Sequence, residues 1–150
     1  MIYLYDNKRK KIGVLENSHN TKINETINTV WGMSFEMPIN DKKNKLIQPF
    51  GYARYTEEGE LYRIMPQTFE SDDKGHIIYE AEHVLAMLID KVLFGFHQVG
   101  GRGYYTDQVI RYILSKQNDW ILDRCDFRRQ FEYGFEQESL LSALFSVPKP

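Results

Sequence analysis

Apolar residues in the first half of the chain recur with a period of two. Residues 2–5 and 12–15 are short β-type runs, and Asp6-Asn7-Lys8-Arg9-Lys10 between them has the composition of a turn. From 31 to 37 the alternation is regular: Trp31, Met33, Phe35 and Met37 fall on one face, Gly32, Ser34 and Glu36 on the other. Pro38, Asn40 and Asp41 break that strand. A further strand over 46–55 contains Pro49 and Gly51, which predicts an edge or bent strand. Glu57-Glu58-Gly59-Glu60 predicts a hairpin turn into a strand over 61–69, and Ser71-Asp72-Asp73-Lys74-Gly75 a turn into a strand over 76–79. Short strands spaced by turns at this rhythm predict a small barrel or sandwich.

The second half changes period. Over 80–94, Val84, Leu85, Leu88, Ile89 and Val92 recur at three- and four-residue steps, the stripe of an amphipathic helix. The glycine-rich stretch 95–103 ends it. Thr106 is placed to cap a second helix whose stripe is Val109, Ile110, Ile113 and Leu114. Strand character returns at 120–122 and over 127–135, where Phe127, Arg129, Phe131, Tyr133 and Phe135 share a face. That face needs a cover, so Phe131 and Phe135 are expected against the helices carrying Leu88 and Leu141. A last helix starts at Glu138 or Ser139, with Leu140, Leu141, Leu144 and Phe145 on its apolar side. The expected class is α+β: an incomplete β-barrel or sandwich over 1–79, then an α+β subdomain over 80–150. No internal repeat or low-complexity tract is visible.

A chain of 150 residues, 42% hydrophobic, has room for one ordinary domain or two small ones with a true core. Its 10 Tyr, 9 Phe and 2 Trp suit sheet faces and interfaces. Charge argues against nucleic acid as a specific partner: 19 basic residues face 21 acidic ones, a net charge of -2, without a basic stripe to neutralise phosphates. The compact basic clusters, Lys8-Arg9-Lys10-Lys11 and Lys42, Lys43 and Lys45, sit in turn-like contexts. One cysteine, Cys125, excludes an internal disulfide and any cysteine-based zinc site, as suits a reducing cytoplasm. The residues after Met1 are too few for a signal h-region, and no apolar run reaches membrane-spanning length. The expectation is a protein without visible export signal or membrane binding.

Candidate chemistry is thin. His19, His76, His83 and His97 lack the His-x3-His spacing that sets two imidazoles on one helix face, and there is no HExxH. Glu80, Glu82 and His83 would cluster on the first turn of the expected helix, where acids near an N-terminus are the simpler reading. Asp123 and Asp126 beside Cys125 would raise its thiol pKa, the reverse of what a nucleophile needs. Asp119 and Asp123 read as the outward face of a strand. Gly100-Gly101-Arg102-Gly103 lacks the phosphate-loop pattern and reads as a contact or chain-reversal loop. The Phe-rich strand offers a base-stacking surface in principle, but core packing and the acidic charge argue otherwise. No nucleophile, base and orienting group come together, so no catalytic, cofactor or metal residues are expected. Phe50, on the bent strand, and Gly100, Gly101, Arg102, Tyr104 and Tyr105 are the candidate assembly contacts, aromatic groups in loop surroundings.

Several stretches carry a resemblance. The opening Ile2-Tyr3-Leu4-Tyr5-Asp6 followed by 12–15, the segment 26–38 (TINTVWGMSFEMP), and Glu60-Leu61-Tyr62-Arg63-Ile64 ahead of Tyr79, Ala81, Glu82 and His83 form an ordered series. Residues 138–145 (ESLLSALF) close it. The series resembles the N-terminal region of phage minor structural proteins, the prophage tail endopeptidase or tail-associated lysin (Tal) family. It covers nearly the whole chain through degenerate structural motifs, with Asn28-Thr29 standing where a glycine turn is usual. The resemblance implies a baseplate-hub architecture: trimers whose subunits each supply two barrel-like domains to a pseudo-hexameric ring. Such a ring docks on the distal tail protein and closes or continues the tail tube. It further implies that this chain holds most of the first barrel and much of an inserted α+β subdomain, lacking the second barrel. Expected partners are a homotrimer in the full-length protein, the distal tail protein ring and the tape measure protein, with this segment monomeric or weakly associating alone. The location implied is the virion tail tip, after synthesis in the bacterial cytoplasm. Lytic or receptor-binding parts are expected beyond Pro150. The rival reading is a peptidoglycan-cleaving endopeptidase module.

Overall fold

Seven short strands of the first half pair side by side, all antiparallel, into one sheet. The computed structural model describes residues 1–66 and 75–147. The strands are β1 (Ile2–Tyr5), β2 (Lys11–Leu15), β3 (His19–Asn24), β4 (Gly32–Pro38), β5 (Tyr52–Arg54), β6 (Tyr62–Ile64) and β7 (His76–His83). Their order is β2-β1-β5-β6-β7-β4-β3. Met33, Phe35 and Met37 of β4 point inward as the alternation requires, and Ile77, Tyr79 and Ala81 of β7 lie on the same face. Ile2 and Leu4 of β1 belong to this one cluster although three strands separate β1 from β4. The sheet therefore curls around its own apolar face. Among the described residues β2 and β3 do not pair, so the sheet stays open: the barrel or sandwich expected over 1–79 is a curled single sheet. Full burial of a side chain such as Phe35 contributes about 1.5–3 kcal/mol.

The strand expected over 46–55 is shorter than its apolar content suggests. A 3-10 turn spans Lys42–Leu46, with the Asp41 carboxylate accepting from the Lys43 backbone N–H at 2.8 Å. Leu46 and Ile47 pack on the core beside Trp31. Pro49 has no N–H to donate, and Phe50, with φ +63°, bonds to Ile64 only irregularly. Pairing resumes only at Tyr52. Similarly, the strand expected over 61–69 is Tyr62–Ile64 among the described residues. The turn expected at 71–74 lies outside them.

The helix expected over 80–94 is not formed. Strand β7 runs on to His83 because β4 and β6 flank it and satisfy both backbone edges. Val84–Asp90 is then a 3-10 segment, and Val92–Gly100 is strand β8. A three-residue apolar step fits a 3-10 turn as well as an α-helix, so the stripe was ambiguous.

The chain divides into two compact units, Met1–Val84 and Leu85–Pro150. In the second, β8 pairs antiparallel with β9 (Glu132–Ser139), accompanied by α1 (Thr106–Leu114) and α2 (Leu140–Ser146). Ser139 caps α2 by accepting from the Ser142 N–H at 3.1 Å. At α1 the cap is Tyr105, whose N–H donates to Gln108 Oε1 at 2.8 Å. Thr106, expected as that cap, is the first helical residue; buried, it donates through N–H and Oγ1 to the Arg129 carbonyl at 3.0 and 2.9 Å. The strand expected over 127–135 begins only at Glu132, and none forms at 120–122. The reason is the partner: β8 ends at Gly100, so 127–131 has no ladder to join. Tyr133 and Phe135 are buried, as are Leu88 and Leu141, whereas Phe131 is half-buried and Phe127 exposed. Of the predicted aromatic face, only its C-terminal part is core.

Candidate functional site

The expected assembly contacts fall in both units. In the first, Phe50 is about half exposed, its ring 5.8 Å from the Arg63 guanidinium carbon, in range for a cation–π contact. Its backbone is tied down, because its N–H donates to the Ile64 carbonyl at 2.8 Å. In the second unit, Gly100, Gly101, Arg102, Tyr104 and Tyr105 form the connection from β8 to α1. Gly100 has φ +108°, and a Cβ there would lie 2.1 Å from the Phe131 carbonyl oxygen, so only glycine fits. Gly101 donates to that carbonyl at 2.9 Å, and Tyr104 donates to the Gly101 carbonyl at 3.1 Å. Arg102 is exposed, and the Arg128 guanidinium carbon lies 4.9 Å from the Tyr105 ring centroid. These contacts order the loop and leave Arg102 and part of Tyr105 facing solvent.

A stronger apolar surface lies where a helix was expected. Strand β8 exposes Phe94 (82%) and Phe96 (65%) with Val92 (40%). The register with β9 shifts between Leu93 and Phe96, and Gly95 has φ +81°, the geometry of a β-bulge. Leu93 and Val99 lie inward while both phenylalanines face out. Phe96 lies over Gly134, where an added Cβ would approach its ring to 3.2 Å. In sequence, Val92-Leu93-Phe94-Gly95-Phe96 is apolar throughout, so no periodicity marked which side faced water.

The polar groups sort differently from their spacing. Glu80 and His83 lie on a strand three residues apart, so they project to opposite faces and do not pair. His83 Nε2 instead lies 3.1 Å from Glu60 Oε2, its ring edge-on to Trp31 and Tyr62. Glu82 pairs with Arg63 at 2.6 Å. His97 lies 2.6 Å from the Tyr112 hydroxyl through Nδ1 and 2.9 Å from the Phe94 carbonyl through Nε2, linking β8 to α1. Cys125 Sγ is 3.3 Å from the Phe127 carbonyl. Burial pushes the Tyr62, Tyr79 and Tyr133 hydroxyls above the usual tyrosine range. The hydrogen bond from Asn17 holds the Asp41 carboxyl below its ordinary value.

One cluster had no counterpart in the sequence reading. His19, Glu36 and His76 stand on β3, β4 and β7, and their donor atoms all lie within 4.8 Å of one another. Positions 19, 36 and 76 share no motif spacing; only strand register brings them together. No helix among the described residues is long and apolar enough to cross a membrane.

The comparisons with known proteins concern both units. Residues 2–83, more than half of the chain, match the model of the prophage endopeptidase tail N-terminal domain. The fold is similar to the crystal structure of prophage tail protein gp18 from Listeria monocytogenes EGD-e, with a TM-score of 0.68 at 13% sequence identity. The superposition covers 97% of this chain and 44% of that one, so the chain spans less than half the length of that protein. No curated protein is significantly similar in sequence.

Proposed function

Since the chain belongs to the prophage endopeptidase tail N-terminal domain family, we propose that it is the hub-forming part of a phage tail tip. In this reading it docks on the distal tail protein ring and continues or closes the tail tube as part of a homotrimeric full-length product. The observation that carries it is the likeness to a prophage tail protein along nearly the whole chain, across both compact units. Function then resides in surfaces rather than in a pocket. Solvent-facing Phe94 and Phe96 on β8, together with Arg102 and Tyr105 at its end, supply aromatic and cationic groups of the kind enriched at protein interfaces. Closed rings require complementary patches on neighbouring subunits, and aromatic anchors at such patches carry much of the binding energy.

The test uses the full-length product and the distal tail protein. Multi-angle light scattering is expected to give a trimer that co-elutes with the ring, with Phe94→Ser plus Phe96→Ser weakening co-elution. A full-length product that stays monomeric and ignores the ring overturns the reading. Zymography of the 150-residue chain, with and without zinc, addresses the endopeptidase alternative; a reproducible clearing band would favour it.

A further inference from the structure

We infer that His19, Glu36 and His76 form a binding site for a divalent transition-metal ion of the zinc type, which clamps strand β3 onto the sheet. Glu36 projects from the face of β4 opposite Met33, Phe35 and Met37, and His19 on β3 and His76 on β7 stand beside it on that outer face of the sheet. Glu36 stands opposite His19 across the β3–β4 pair and opposite Ile78 across the β4–β7 pair. His76 lies two residues from Ile78 on β7, within diagonal reach of Glu36.

A bulge makes this arrangement. Lys22 pairs with Ser34, and an uninterrupted ladder would then set Asn20 opposite Glu36. The register slips between His19 and Lys22, Asn20 takes φ +48°, and His19 occupies the opposing position instead. Bulges of this type re-aim side chains beside functional sites.

The distances suit a metal. His19 Nε2 is 3.4 Å and His76 Nδ1 4.0 Å from Glu36 Oε2, and the two imidazole centroids are 4.5 Å apart. In a tetrahedral site with metal–ligand bonds of about 2.0–2.1 Å, neighbouring ligand atoms lie about 3.3–3.4 Å apart. Small side-chain rotations close the remaining gap. Two imidazoles and one carboxylate is a donor set that borderline cations accept. Supporting contacts are in place as well. His19 Nδ1 lies 3.2 Å from the Asn17 carbonyl, the contact that fixes the tautomer with Nε2 free to ligate. The Asn20 amide donates to Glu36 Oε2 at 2.9 Å and orients the carboxylate. Among the described residues strand β3 is a sheet edge paired with β4, so a bond from His19 through the ion to β7 secures it.

The test is titration of the metal-free 150-residue chain with Co2+, followed by displacement with Zn2+. Expected are one saturable equivalent, the visible bands of a tetrahedral cobalt centre and a Tm raised by zinc. His19→Ala, His76→Ala and Glu36→Gln are expected to weaken binding more than about 100-fold, and Asn20→Ala about tenfold. His97→Ala is the control and keeps full affinity. The unsubstituted chain offers a readout independent of variant folding: on adding Zn2+, the ring resonances of His19 and His76 shift together. Absence of saturable binding, unchanged affinity in His19→Ala and His76→Ala, or zinc shifts confined to His83 or His97 would overturn the site.

Discussion

Strands β4 and β9 begin from the same instruction, an alternation of large apolar and polar residues, and reach different surroundings. Strand β4 lies between β3 and β7, so both its edges are paired and Met33, Phe35 and Met37 enter a core shared by the curled sheet. Among the described residues strand β9 has one partner, β8, in a two-stranded sheet. It buries Tyr133 and Phe135, while the outer side of that ribbon leaves Phe94 and Phe96 in solvent. Apolar alternation thus specifies which residues share a face. Whether that face becomes core depends on how many strands and helices remain to cover it. A two-stranded ribbon is marginal by itself, and here α1 packs against β8 and α2 against β9.

Truncating the better-covered strand should cost most. Phe35→Ala, at a fully buried position stacked on Tyr79 with ring centroids 5.4 Å apart, is expected to destabilise by about 3–5 kcal/mol in denaturant titration. A cost below about 1 kcal/mol would erase the contrast drawn between the two strands. Phe131→Ala comes next, at about 1–2 kcal/mol, because its ring is half-buried and precedes the ladder of β9. A cost matching Phe35→Ala would mean that the aromatic face extends beyond Glu132 after all.

Smaller changes sharpen the comparison. Ser139→Ala removes the cap where β9 passes directly into α2 and is expected to cost about 1 kcal/mol, with Ser139→Thr recovering most of it. Thermal unfolding of the pair of variants would measure this; equal Tm values for Ala and Ser would remove the cap from the account. Phe94→Ser should change the stability of the chain by no more than about 0.5 kcal/mol while lowering capture by the distal tail protein ring. Marked destabilisation would instead make Phe94 a core residue of this chain.

The legible parts of the fold were those with local causes. β1, the inward set of β4, the stripe of α1 and the Ser139 start of α2 follow from short-range periodicity and capping chemistry. The Gly100–Tyr105 loop was legible as a chain reversal because glycine marks such turns; Phe94 and Phe96 were not legible as a surface, standing in a run without alternation. The edge strand β3, whose residues His19-Asn20-Thr21-Lys22-Ile23-Asn24 are nearly all polar, carried no apolar signal.

By itself, then, the sequence determined the α+β class, the inward face of β4, the two helices and the glycine-marked chain reversal that begins at 100. Each depends on residues within a few positions of one another, where steric and hydrogen-bonding preferences act directly. Only the tertiary structure decided that 80–83 extends a strand, that 127–131 joins no strand ladder, that the first sheet curls without closing among the described residues, and that His19, Glu36 and His76 meet. These outcomes turn on which backbone edge finds a partner and in which register. A strand's hydrogen-bonding partners lie far away in sequence, so no local pattern encodes them.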